Sequence, residues 1–186
     1  MISINLLPKN LRCEYLPNPL GLDISNPRLS WILESKEKNQ QQTSYQILVA
    51  SDPKILKEDK GDLWDSGKVD SDSSIHIEYN GSPLKSNMNC YWKVRVWNKE
   101  YEPSDWAEPA MWSTGLLDPD DWEAKWIGEP RRKLPIGKLN KYFRKKRIDP
   151  SPLIRKSFNL KGKVKRVILY ATALGVYELY INGKKL

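Results

Sequence analysis

Residues 90–98 read Cys-Tyr-Trp-Lys-Val-Arg-Val-Trp-Asn. Trp92, Val94 and Val96 fall on one side of an extended chain, and Tyr91, Lys93, Arg95 and Trp97 fall on the other. Such alternation is the pattern of a half-buried antiparallel strand, because successive side chains of a strand point to opposite faces. A strand with Trp92 on its inner face needs a second layer to cover it. The rest of the chain is therefore read for strands that supply that layer.

They are there. Residues 11–15 form a short extended run, ended by Pro17, Asn18, Pro19 and Gly21, and read as an edge strand. Pro27 introduces residues 28–33, where Leu29, Trp31 and Leu33 alternate with Arg28, Ser30 and Ile32, placing Trp31 in the core. Residues 34–42 are polar and read as a solvated loop. Residues 43–51 follow as a strand with Tyr45, Ile47 and Val49 on one face. Asp52-Pro53 starts a turn, and residues 54–60 suit one helical turn before Gly61. Residues 63–69 form a strand interrupted at Gly67, a bulge or bend. Residues 75–79 alternate with Ile75, Ile77 and Tyr79 on one side and His76 outward, and residues 106–114 return as the last strand, with Ala110, Trp112 and Thr114 sharing a face. Seven strands separated by regular turns form an immunoglobulin-like sandwich. The eight Trp and nine Tyr, against two Phe, and the thirteen Pro suit an all-β chain, since aromatics favour pleated surfaces and Pro punctuates turns.

The sequence is poor in chemistry. A single histidine, His76, rules out the usual Ser-His-Asp relay and any His-rich metal site within one chain. Cys13 and Cys90 read as two small buried hydrophobes rather than a disulfide framework. The acids that a glycosidase-type pair would require, Asp65 with Asp70 or Asp118 with Asp120 and Asp121, lie in turns and linkers, so none is assigned a catalytic role. No cofactor-binding or metal-ligating residue is identified. The net charge of +8 is local: nine basic residues and no acid lie between Arg131 and Arg147, and the remainder sums to −1. That stretch, with Pro130, Pro135, Gly137, Pro150 and Pro152 around it, reads as a basic loop at 129–152. A nucleic-acid surface would interleave more stacking aromatics than Tyr142 and Phe143, so nucleic acid is not an expected partner. No apolar run approaches the roughly 20 residues of a membrane span, and residues 1–12 show no signal-peptide pattern. A soluble protein, cytoplasmic or exported, is expected.

Several segments resemble a known family in order and spacing. They are Asn18-Pro19-Leu20-Gly21-Leu22-Asp23, Pro27-Arg28-Leu29-Ser30-Trp31, residues 42–50, Trp64-Asp65-Ser66-Gly67-Lys68-Val69, Tyr91-Trp92-Lys93-Val94-Arg95-Val96-Trp97 and residues 122–128. Together they look like the N-terminal region of bacterial α-L-rhamnosidases. The resemblance implies a fibronectin type III-like sandwich over residues 1–115, a linker at 116–121 and, over 122–186, the start of a jelly-roll domain. Within that second part, residues 153–160, 164–173 and 176–181 read as strands, the last closed by an Asn182-Gly183 turn. A jelly roll needs about eight strands, so this one is incomplete. In that family an (α/α)6 barrel further along the chain hydrolyses terminal α-L-rhamnosides with inversion. No residue here matches a catalytic position, and the expectation is a non-catalytic accessory region. Its expected partners are the remainder of a parent enzyme and, through it, rhamnose-containing glycans.

Two alternatives stay open. Exposed Trp97 and Trp106 would stack on sugar rings in a carbohydrate-binding module, whereas stacking against Lys93 and Arg95 would make them structural; the second is favoured. An incomplete jelly roll would also leave an apolar face around Val167, Leu169 and Val176 through which the chain self-associates.

Overall fold

Antiparallel pairing joins distant parts of the chain into two facing sheets, as seen in a computed structural model that describes residues 6–128, 152–164 and 166–186. The first sheet contains β1 (Leu6–Cys13), β2 (Arg28–Ser35) and β6 (Ile77–Glu78), in the order β1-β2-β6. The second contains β3 (Ser44–Ala50), β4 (Trp64–Asp65), β5 (Val69–Asp70), β7 (Asn89–Trp97) and β8 (Ala110–Ser113). Its order is β4-β3-β7-β8, with β5 also pairing β3. β3 and β7 are its spine, in register from Ser44 opposite Trp97 to Ala50 opposite Tyr91.

The core lies between the sheets, and the alternation of β2 and β7 places it. Trp31, Trp92 and Trp112 are fully buried there with Leu29, Ile47, Val94 and Val96. Burying side chains of this size stabilises by about 1.5–3 kcal/mol each before entropy is charged. Trp31 meets Tyr45 edge-on at 5.3 Å between ring centroids, and Tyr79 sits edge-on to both Trp64 and Trp112. Cys13 and Cys90 are buried free thiols in this core, as expected.

β3 departs from simple alternation because both its faces are covered. Its outer Leu48 and Ala50 pack with Leu56 of α1 (Pro53–Lys57), beside Ile55, Tyr91 and Trp106. Asp52 caps this helix, its Oδ1 accepting from Lys54 N at 2.7 Å, and Pro53 opens the first turn. The expected break at Gly67 is real. Gly67 takes φ +60°, and the segment splits into β4 and β5 while Ser66 N donates to Ile47 O at 3.0 Å and Ile47 N donates to Ser66 Oγ at 2.8 Å.

Four local expectations are corrected. The edge strand begins at Leu6, well before residue 11, with a register shift between Lys9 and Arg12 where Asn10 takes φ +51°. The polar segment 34–42 is not wholly solvated: Glu34 and Ser35 extend β2, and Gln42 is only 1% exposed. In 75–79 the alternation fails because His76 adopts φ +57°, which leaves Ile75 60% exposed while Tyr79 stays buried. The last strand is only Ala110–Ser113, since the segment ahead of it contains Pro103 and Pro109 and joins β7 by separate bonds, Ser104 N to Val96 O and Ala107 N to Val94 O.

The free edge of β8 is covered by the segment carrying Asn18 to Asp23. Ser113 N donates to Pro19 O, Leu22 N to Ser113 O and Gly115 N to Leu22 O, while Asn18 Oδ1 accepts from Met111 N. Gly115 is required by this closeness, because a Cβ there would stand 2.8 Å from Gly21 O. The chain then leaves through Pro119–Asp121, a short 3-10 turn capped by Asp118.

Two compact units result, Met1–Ala124 and Lys125–Leu186. In the second, the described strands are β9 (Tyr180–Ile181) and β10 (Lys184–Lys185), which form a hairpin. Asn182 and Gly183 take φ +50° and +79° at its turn, the conformation for which Asn-Gly is suited. The strands expected at 153–160 and 164–173 and in most of 176–181 are not formed among the described residues. Leu153, Leu174 and Val176 are fully exposed there, and without a pairing partner and a covered face an apolar run gains nothing from extension. The basic stretch 131–147 lies outside the described residues.

Candidate functional site

The outer face of β7 carries an array of cationic and aromatic groups. Strand alternation places Lys93, Arg95 and Trp97 there, and the connection from β7 to β8 folds Trp106 back over them. Arg95 lies between two indoles, its Cζ 5.1 Å from the Trp97 ring centroid and 4.7 Å from that of Trp106. Lys93 Nζ also sits 4.9 Å from the Trp106 ring centroid and pairs with Asp59. At the other end Lys68, from the bend between β4 and β5, places Nζ 5.1 Å from Trp97 and 5.8 Å from Tyr101. The result is an alternating ladder of Tyr101, Lys68, Trp97, Arg95, Trp106, Lys93 and Asp59.

Hydrogen bonds fix the ladder to the sheet. Arg95 donates through Nε and Nη2 to Gln46 Oε1 at 3.0 and 2.7 Å, and Gln46 Nε2 donates to Asp65 Oδ1 at 2.7 Å. Lys93 is 5% exposed and Trp97 8%, so the middle of the ladder is packed rather than open. Stacking of this kind contributes about 0.5–2 kcal/mol per pair, the more so as the cation is desolvated. Trp97 and Trp106 are thus held by cations, the structural one of the two expected roles. Tyr101 differs: it is 69% exposed at the tip of its loop. Sequence reading passed over Tyr101 and Lys68, because the loop and the bend that carry them meet only through the pairing of β3 with its neighbours.

Three of the acids considered for catalysis, Asp65, Asp70 and Asp118, serve local structure. Asp65 Oδ1 also accepts from Gly67 N at 2.9 Å, Asp70 Oδ1 accepts from Ser44 Oγ at 2.9 Å, and Asp118 Oδ1 accepts from Asp120 N at 3.0 Å. His76 Nε2 is hydrogen-bonded to Tyr15 Oη at 2.8 Å on the surface of the sandwich, its ring edge-on to the tyrosine. Beside it Glu14 grips Arg28, whose hydrogen bonds hold the Glu14 carboxyl below its ordinary range. Among the described residues no group of three or more His, Cys, Asp or Glu is placed to hold a metal ion. No helix among them is long and apolar enough to cross a membrane.

The sandwich has close counterparts. Residues 8–118 match the family described as the Rha78A-like, N-terminal immunoglobulin domain. The chain belongs to this family. The matched residues run from within β1 to the Asp118 cap and take in both sheets of the sandwich. An α-L-rhamnosidase of Formosa agariphila is 38% identical over 172 residues, which is 92% of this chain and 18% of that protein. The solved structure of an α-L-rhamnosidase from Dictyoglumus thermophilum superposes with a TM-score of 0.67 at 38% identity, over 70% of this chain and 15% of that one. That of Streptomyces avermitilis α-L-rhamnosidase, complexed with L-rhamnose, gives 0.64 at 43% identity over 67% and 12%. The chain therefore spans under a fifth of the length of these relatives, and within it residues 8–118 match a domain described as N-terminal and immunoglobulin-like.

Proposed function

We propose that the Rha78A-like sandwich serves as the N-terminal accessory module of an α-L-rhamnosidase-type glycoside hydrolase, whose hydrolysis of terminal α-L-rhamnosides is carried out by residues outside these 186. The match of residues 8–118 to an N-terminal domain of Rha78A-like proteins carries this reading. The side chains support it, since Asp65, Asp70 and Asp118, three of the acids weighed for catalysis, are engaged in a turn, a strand contact or a cap. Its partners are the remainder of such an enzyme and, through that enzyme, rhamnose-containing glycans.

In this reading residues 116–121 are a linker and 122–186 begin a jelly-roll domain, whose exposed Val167, Leu169 and Val176 await further strands. The same exposed side chains make self-association of the chain a consequence of leaving them uncovered. The test is the release of p-nitrophenol from p-nitrophenyl α-L-rhamnoside by the purified chain. No release above buffer is expected; turnover that persists through successive purification steps would overturn the accessory role.

A further inference from the structure

The ladder on β7 ends in a feature that its structural role does not require. Tyr101 is exposed and adopts φ +63°, a left-handed conformation that a bulky L-residue rarely takes. The loop is built to hold it so. Asn98, buried beneath the loop, accepts through Oδ1 from Glu100 N at 3.0 Å and from Glu102 N at 2.9 Å, and Tyr101 N donates to Asn98 O at 3.0 Å. Asn98 Nδ2 also donates to Glu102 Oε2 at 3.2 Å. A strained, pre-ordered and exposed aromatic is a mark of a binding position, because a rigid platform loses little entropy when a ligand lands on it.

The charges beside it select the ligand. Lys68 and Arg95 make no ion pair among the described residues; their cationic heads face only rings and the Gln46 amide oxygen. Of the loop's acids, Glu100 is paired with Lys99 at 3.6 Å, while Glu102 keeps its charge and accepts from Asn98 Nδ2. An anion arriving at Tyr101 therefore finds Lys68 without a carboxylate partner. The exposed apolar area is a single ring, far short of the roughly 800 Å² per partner of a stable protein interface. It is the right size for one sugar ring, whose C–H face stacks on an aromatic plane as other apolar groups do.

We propose that Tyr101 and Lys68 form a binding platform for an anionic saccharide, a uronate residue stacking on Tyr101 with its carboxylate on Lys68 Nζ. The inference goes beyond the accessory role and stands independently of it, since binding and hydrolysis are separate readouts.

Titration of the full chain with trigalacturonate, followed by calorimetry, tests it. Binding is expected, weakening with added salt, and about tenfold weaker or more in Lys68→Met and Tyr101→Ala, with Tyr101→Phe close to the parent. Tyr101→Gly, which relieves the left-handed strain, is expected to lose binding while raising the melting temperature by a few degrees, so loss of the site is not confused with loss of the fold. Three results would each overturn the proposal: no binding of trigalacturonate, equal binding by Tyr101→Ala, or equal binding of a triglutamate peptide. The last would mark a general cationic patch rather than a saccharide site.

Discussion

The indole N–H of Trp31 donates to Gln42 Oε1 across 3.0 Å inside the sandwich, and the amide of Gln42 then donates to the carbonyls of Ser71 and Ser73. One side chain thus joins the core tryptophan of β2 to the segment leading into β6. Gln42→Met keeps the volume but strands a buried N–H. The expected cost is about 1–3 kcal/mol in urea unfolding. Adding Trp31→Phe removes the stranded donor, so the double variant is expected to lose less than the sum of the singles; strict additivity would show the hydrogen bond to be unimportant.

Acid stability is expected to depend on Glu14. Its carboxylate accepts from the Arg28 guanidinium, Nη2 at 2.7 Å, and from Arg28 N at 2.6 Å, which lowers its folded pKa below the ordinary carboxylate value of ~4.3. The native state therefore binds this proton less readily than the unfolded chain. Its stabilising contribution is complete above the ordinary value and is lost as pH falls through the lowered one. Glu14→Gln is expected to unfold at lower denaturant near neutrality and to show a flatter midpoint below pH ~4.5.

At the alkaline end the buried thiols act in the opposite direction. Burial is the main cause that pushes Cys90 up to about 12 and Cys13 further, and it raises Tyr79 to about 12. The unfolded chain releases these protons first, the thiols from pH ~8.5, so stability falls as pH rises from there. Two thiols dominate this fall before tyrosine begins to titrate near 10. Cys90→Ala is expected to reduce the dependence of the melting temperature on pH between about 9 and 10 by roughly half.

The ladder itself is expected to be a stabilising device. Trp106→Ala removes a half-buried ring contacting Lys93, Arg95 and the small cluster of Leu48, Ala50 and Leu56, at about 2–3 kcal/mol. Arg95→Lys keeps the charge but loses the planar stack and the paired donation to Gln46, at about 1 kcal/mol. Equilibrium unfolding checks both, and no change in either would remove the ladder from the stability of the sandwich.

What could be read from sequence depended on where period-2 alternation survives. Leu29 and Trp31, and Trp92, Val94 and Val96, point inward as their spacing requires, although in β7 the outer Lys93 and Trp97 are covered as well. The reading failed where a single backbone angle or a distant partner decides. His76 at φ +57° ejects Ile75 from the face it shared with Ile77, although nothing in the alternation of residues 75–79 signals it. Gln42 is polar yet buried because three partners far along the chain satisfy it. Tyr101 and Lys68 are legible only once β3 has brought the bend after β4 beside the end of β7. In the second unit the apolar runs are present, but apolar side chains alone do not determine which strand they would pair with.

The central claim is that a sandwich packed on Trp31, Trp92 and Trp112 is self-sufficient and ends where the first unit ends, at Ala124. Limited trypsin digestion with mass spectrometry tests it most directly, because Lys125 is the first basic residue beyond that boundary while Lys93 and Arg95 lie in the middle of β7. The predicted result is early cleavage after Lys125 and a persistent N-terminal core. Cleavage after Lys93 or Arg95 as fast as after Lys125 would contradict the claim.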